Sequence, residues 1–315
     1  MSSNFSAGFA DKLTIRGVPI VQMFPGEVFW VNSTSIATKT GLTGSDANPG
    51  TYHQPLATIA AAITKATASR GDMVIVMPGH SETIATDGGI AFSKAGVAIV
   101  GLGMGTLRPK FVIDTIAAAA LTVTAANVAL LNFQVEASFA DVTNAIDVTA
   151  SNFWCVDTDF IEEGADLNFL DIIHCSSTTD NNADGLTVIG CKSKAIDAGI
   201  NSFINIKADV DSLVCNDNYV NHDHANALAM ILCATGKDLT SLEMLRNKYA
   251  SLKTSGDILI DNDTAANSGI VAHNLAIHAD TATEILVDCD GVGLFENYGT
   301  AVVTASGYLL PAADS

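Results

Sequence analysis

The sequence predicts an all-β fold: a single-stranded, right-handed parallel β-helix (a solenoid) with an N-terminal capping helix. Three observations carry that reading. From Met73 onward the chain is a succession of short apolar or alternating segments, such as MVIVM, VALLNFQV, NFWCVD and GLTVIGC, separated by Asn, Asp, Gly or Thr. Val, Ile and Phe in such runs favour strands. Hairpin dipeptides are scarce, with Asp87-Gly88, Asp184-Gly185 and Asp290-Gly291 nearly all of them, whereas a sandwich or propeller of this size needs many tight reversals. Strand-plus-Asx units also recur: anchored on Asn127, Asn152, Asp184, Asp211 and Asp238, the steps are 25, 32, 27 and 27 residues. A quasi-period of that length in β-forming sequence belongs to a solenoid.

The elements follow in order. Residues 1–43 form an irregular leader, an attachment segment in which KLTIRGVPIVQMFPG places a short strand on each side of Gly17. Its apolar residues Ile15, Val18, Ile20, Phe24, Phe29 and Trp30 have too little local chain to bury them. They are the expected contacts to a partner or a neighbouring subunit. Gly26 to Val31 reads as a strand, and Asn32 to Pro55 as a long loop of turn formers. Residues 44–71 hold the end of that loop and the cap helix, Leu56 to Ser69. Ile59, Ala62, Ile63 and Ala66 fall there at helical spacing, and Gly71 stops the helix.

Residues 72–315 are the β-helix and its C-terminal tail. The run Met73 to Met77 enters Pro78-Gly79, a pair that closes most secondary structure. This predicts the first corner of the solenoid, with His80, Ser81 and Glu82 on its outer link and Thr83-Ile84 re-entering the sheet. Gly101, Gly103 and Gly105 precede Arg108-Pro109 rather than a long helix, so they form a tight turn and not a phosphate loop. Only Asp238 to Leu252 interrupts with helical spacing, and a short helix or mixed element is expected there. AVVTASGYLLPAADS supplies a last strand and a tail. Open solenoid ends expose unpaired strand edges, so capping or homo-oligomerisation is expected.

The segment GSDANPGTYHQPLATIAAAITKATASRGDMVIVMPGHSETI, Gly44 to Ile84, resembles the N-terminal cap of the pectate-lyase-like superfamily. In those proteins a Gly/Asp/Asn loop leads to a helix that covers the end of the β-helix. Here the loop is GSDANPG, the helix LATIAAAITKATA, the strand DMVIVM and the link PGHSE. The resemblance implies the fold but not an activity, because lyases, hydrolases, epimerases and non-catalytic proteins share the cap. With TIRGVPIVQMFPGEVFWVNS ahead of it, the chain is similar to proteins encoded by tailed bacteriophages. That similarity implies a component of the virion surface, a capsid decoration or adhesive fibre. Its partners would be other virion proteins, the capsid shell foremost.

Composition narrows the function classes. The chain has 315 residues and a formal net charge of -19, with only 15 Lys and Arg and no basic run, which argues against nucleic acid as a partner. Residues 1–150 hold 10 acids against 8 bases, and residues 151–315 hold 24 against 7. Such a surface repels an anionic membrane or a polyanionic substrate, and at solenoid bends the acids read as solvent dressing. No apolar stretch reaches membrane-spanning length. The six Cys are widely spaced, which suggests buried free thiols rather than a zinc site or disulfide framework.

Chemistry has few candidates. Asp157 with Asp159 and Asp261 with Asp263 are i, i+2 carboxylate pairs. On one strand such a pair points the same way about 6.6 Å apart, within the range of glycoside hydrolysis. Asp288 with Asp290, and His222 with His224 in NHDHAN, are the metal-ligand candidates. Ca²⁺ is the one ion that the oxygen-rich bends invite, and no other cofactor is signalled. Trp154 and Phe160 could form a short platform for a host glycan. His80 and Glu82 have a structural reason in the cap, no GxSxG elbow is present, and no Arg stands on a clear core-turn strand beside a cluster of Asp. The expected function is therefore a non-enzymatic virion structural protein. A tailspike-like polysaccharide depolymerase and a glycan-binding module without turnover are the alternatives.

Overall fold

A computed structural model describes residues 14–15, 18–19, 26–33, 41–196, 199–222, 229–252, 258–262, 266–279, 287–301 and 307–310. The chain winds as a parallel β-solenoid with three sheets of ten, ten and eight strands, the last strand of the second sheet being an antiparallel return. One turn shows the pattern: Ala129–Leu131 lies in the first sheet, Gln134–Ala137 in the second and Val142–Val148 in the third. Each strand pairs in parallel with its equivalents one turn before and after. Two antiparallel pairs lie outside this scheme. Thr14–Ile15 pairs with Val18–Pro19 across Gly17, as expected, and Gly307–Leu310 folds back on Asn297–Ala301. The first sheet begins at Val28–Val31, ahead of the cap.

Like stacks on like in the interior. The inward row of the third sheet is Ile90, Leu121, Ile146, Ile173, Ile204, Ile231, Ile260 and Val287, in direct register. All but Val287 are at most 2% exposed. β-branched side chains fit this pleated stack, and each burial contributes roughly 1.5–3 kcal/mol before entropy is counted. Phe111 and Phe133 stack likewise, with ring centroids 5.1 Å apart. All six cysteines are buried free thiols, as expected.

The corner from first to second sheet is built by two adjacent rows. In the first row Asn132, Asp157, Asp217, Arg246, His273 and Glu296 all have φ between 46° and 63°. Gly190 completes it at φ 68°, where an added Cβ would meet Asp157 Oδ1 at 2.6 Å. The next residue of each turn points inward. From the sixth solenoid turn on it is Asn218, Asn247, Asn274 and Asn297, at most 1% exposed. The Oδ1 atoms of Asn247, Asn274 and Asn297 each accept the backbone N–H and the Nδ2–H of the Asn before, at 2.8–3.0 Å, and Asn218 Oδ1 accepts the Cys191 N–H at 2.9 Å.

Three expectations are corrected. The cap helix α1 spans Ile59–Lys65, shorter than Leu56 to Ser69. Ala66 is already extended, and the Thr67 N–H is captured by Asp72 Oδ2 at 2.7 Å, so the helix ends well before Gly71. Asp238 to Leu252 holds no helix but the strands Leu239–Thr240, Leu242–Leu245 and Lys248–Ser251. Its helical spacing arises because a corner at Arg246-Asn247 shifts the inward parity between Met244 and Tyr249. Finally, His80 is not on an outer link: it is 1% exposed, and Ser81–Thr83 is already a strand of the second sheet.

Candidate functional site

The His80-Ser81-Glu82 motif is a clamp for the cap. Glu82 is in register with inward-facing Phe111, so its carboxylate points into the open end of the solenoid, where α1 begins. Its Oε2 accepts the Ile59 N–H at 2.9 Å, satisfying a donor that a helix start leaves orphaned. The Ser33 N–H donates to His80 Nδ1 at 3.0 Å, so the ring proton sits on Nε2, 3.1 Å from Glu82 Oε2. Thr58 Oγ1 accepts from the Ala61 N–H as the N-cap. Ile59, Ala62 and Ile63 are then buried over the first solenoid turn.

The carboxylate candidates do not converge as drawn from sequence. Asp157 and Asp159 straddle the first corner rather than sharing a strand: Asp157 has φ 49°, Thr158 is buried between them, and Asp159 opens the strand Asp159–Glu162. Asp159 Oδ2 is 2.7 Å from Arg108 Nη1. Asp261 faces outward from the third sheet, in register with Asp288 of the next turn, and Asp290 lies in the turn beyond. Asp263 lies outside the described residues, as does His224. His222 points into the core, its Nε2 3.0 Å from Ser193 Oγ and its ring edge-on to Tyr249. Burial removes it from any external turn.

Trp154 and Phe160 make no shared platform. Trp154 is 51% exposed on the first sheet, whereas Phe160 is 2% exposed and packs inward from the second against Phe203. Of the attachment residues, Phe29 is buried in the core and Trp30 faces outward beside Tyr52. Ile20 and Phe24 lie outside the described residues. Ile15 and Val18 are described by their strands alone.

The polar group that the fold does assemble was missed from sequence. On the third sheet two rows run side by side, Asn144–Asp171–Ser202 and Asp147–His174–Asn205, in direct register. Between the rows, Ala145 and Ile146 are both buried, as are Ile172 and Ile173, so the strands bend and bring the polar rows together. Ser202 Oγ donates to Asp171 Oδ1 at 2.5 Å, and Asn205 Nδ2 donates to Asp171 Oδ2 at 2.9 Å. His174 Nδ1 lies 4.0 Å from Asp147 Oδ1, too long for a hydrogen bond. Desolvation lowers the His174 pKa, outweighing the nearby Asp171 and Asp147 charges that would raise it. A neutral imidazole flanked by two carboxylates can accept a proton or bind a hydroxyl. Asn144 Nδ2 and Asn205 Oδ1 are buried without a partner, leaving one donor and one acceptor unspent. The signal was present in NAID, LDIIH and SFIN, but it emerges only when their Ile residues are aligned. Among the described residues no group of three or more His, Cys, Asp or Glu could hold a metal ion. No described helix is long and apolar enough to cross a membrane.

No family model matches the sequence, and no curated protein does. Two solved structures are similar. One, "Rhamnogalacturonan lyase", aligns over 87% of this chain and 74% of its own at 16% identity and a TM-score of 0.46. The other, "Geobacillus virus E2 - ORF18", aligns over 90% of this chain and 62% of its own at 12% identity and a TM-score of 0.30.

Proposed function

We propose that this β-solenoid is a non-enzymatic structural protein of a bacteriophage virion, displayed on the particle surface in a decoration or adhesion role. The observation that carries the non-enzymatic part is the employment of the polar side chains that sequence singles out. Glu82 and His80 hold the cap, Asp159 pairs with Arg108, and Asp157 builds a corner. The virion part rests on the resemblance of the leader and cap to proteins of tailed phages, and the capsid shell is its partner in this reading. Immunogold electron microscopy of the intact phage tests it, together with a reducing-end assay on host surface polysaccharides. Labelled particles and no sugar release are expected. Particles free of the protein would overturn the virion assignment.

One observation favours a second reading. The half-buried Asp147–Asp171–His174 bend has the donors, acceptors and neutral base that cleavage or binding of a glycan uses. Saturable sugar release that disappears in a folded His174→Ala variant would establish it in place of the first.

A further inference from the structure

The outer face of the first sheet is almost uncharged from end to end. Its ten strands each turn two side chains outward, and the register aligns these in two rows. One row runs from Trp30 through Val100, Leu131, Val156 and Leu245 to Phe295. The other runs from Val28 through Met73, Trp154 and Val214 to Ile270 and Gly293. Among these positions Glu243 alone is ionisable, and its Oε1 is engaged by Asn216 Nδ2. The second sheet has the same pleat but carries charge: its outward rows hold Lys110, Glu136, Asp159, Lys192, Lys194 and Lys248, and become uncharged only in the last turns at Leu275, Ile277 and Tyr298. Trp154, Ile270 and Phe295 are 51%, 48% and 58% exposed on the uncharged face.

We propose that a second copy of this chain docks there, face to face, to give a dimer of solenoids. Charge selects the face. A chain of net charge -19 meets itself most readily where acids are fewest, since apposed like charges oppose association, and this face is the one that stays nearly free of charge over all ten strands. Pitch selects the partner. Side-chain rows repeat at the strand spacing of about 4.8 Å, and a second solenoid of the same pitch can seat its rows between them along the whole length. Nine such spacings and two outward residues per strand give a face about 43 Å by about 10 Å, on the order of 400 Å² in projection. That is patch-sized for an interface and about half the surface of a standard partner. The acidic corner residues Asp157, Asp217 and Glu296 bound the contact on one side, so the dimer is of the small, weak and transient class.

Both tryptophans of the chain, Trp30 and Trp154, lie on this face, so their fluorescence reports its covering. The test combines sedimentation velocity and tryptophan emission from about 1 to about 100 µM for the full chain, Leu131→Lys, Val156→Lys and the second-sheet control Ile161→Lys. The full chain and Ile161→Lys should dimerise with a concentration-dependent blue shift. The two first-sheet variants should stay monomeric to at least tenfold higher concentration. A monomer throughout overturns the proposal, whether its tryptophans are exposed or already shielded by the leader or another partner. A dimer indifferent to Leu131→Lys and Val156→Lys overturns it as well. If those variants misfold, the concentration dependence of the unmodified chain decides alone.

Discussion

Asn218, Asn247, Asn274 and Asn297 extend the backbone ladder through their side chains. Asn247 Oδ1 accepts from both the backbone N–H and Nδ2 of Asn218, while its own Nδ2 donates to Cys215 O at 2.7 Å and Asn274 Oδ1 at 2.9 Å. Every partner is buried, so a missing member leaves unpaired groups with no water to replace it. Asn247→Ala should therefore cost on the order of 2–4 kcal/mol, well above the usual single-hydrogen-bond value. Urea unfolding followed by far-ultraviolet circular dichroism measures it, and a loss under about 1 kcal/mol would mean that the row is ornamental. The row was half-legible. Asp217-Asn218, Arg246-Asn247, His273-Asn274 and Glu296-Asn297 recur at solenoid spacing. Phe133, Thr158 and Cys191 occupy the same place in earlier turns, and no composition rule joins those residues. The neighbouring left-handed row hides even better, because Arg246, His273 and Glu296 adopt φ values that residue preference assigns to Gly or Asn. Stacking against equivalent corners overrides local preference there.

At the scale of elements, the cap is a seven-residue helix too short to persist alone, and carboxylates hold both of its ends. Glu82 holds the first turn. Beyond the last turn, Asp72 accepts the N–H groups of Thr67 and Glu27, at 2.7 and 2.9 Å, and both arms of Arg70 at 2.7 Å. The Arg70 hydrogen bonds, aided by the two backbone donors, hold the Asp72 pKa down to about 2 from the ordinary 3.8. Because the folded-state value lies below the unfolded one, the stabilisation is complete above about pH 4. It is lost as pH falls through about 2. Asp72→Asn should cost on the order of 2 kcal/mol at neutral pH, and the gap to the unmodified protein should narrow steadily on acidification between those limits. Thermal midpoints of the two proteins, measured in parallel against pH, check this. Parallel curves would show that the Arg70–Asp72 pair has no share in acid sensitivity. The helix itself was visible in the spacing of Ile59, Ala62 and Ile63. Its end was not, because a side chain six residues beyond Ala66 sets it.

For the molecule as a whole, repetition made the solenoid readable and concealed what the repeats place side by side. The quasi-period and the shortage of hairpin turns sufficed for the architecture. The bend that joins Asp147, Asp171 and His174 depends on register, and a 27-residue step between Ile146 and Ile173 followed by a 31-residue step to Ile204 defeats inspection. The same stacking has an electrostatic consequence. Residues 151–315 hold 24 acids against 7 bases, and the solenoid sets acids one strand apart. Asp261 and Asp288 stand in direct register, and the N–H groups of Asp209 and Asp238 donate to the carboxylates of Asp180 and Asp209. Lys237 bridges Asp180 and Asp209, and Arg246 pairs with Asp217, but exposed pairs of this kind return little. Self-repulsion therefore opposes the folded state, most of all in the later turns. Raising NaCl from about 10 to about 300 mM shortens the screening length from about 30 Å to under 8 Å. It should lift the thermal midpoint by several degrees, with the gain in hydrogen-exchange protection concentrated after residue 180. Calcium chloride at matched ionic strength should do no more if the acids are solvent dressing; a distinctly larger rise would mean that the stacked carboxylates bind the ion. A midpoint indifferent to salt would mean that the ladders, and not the surface charge, set the stability of the later turns.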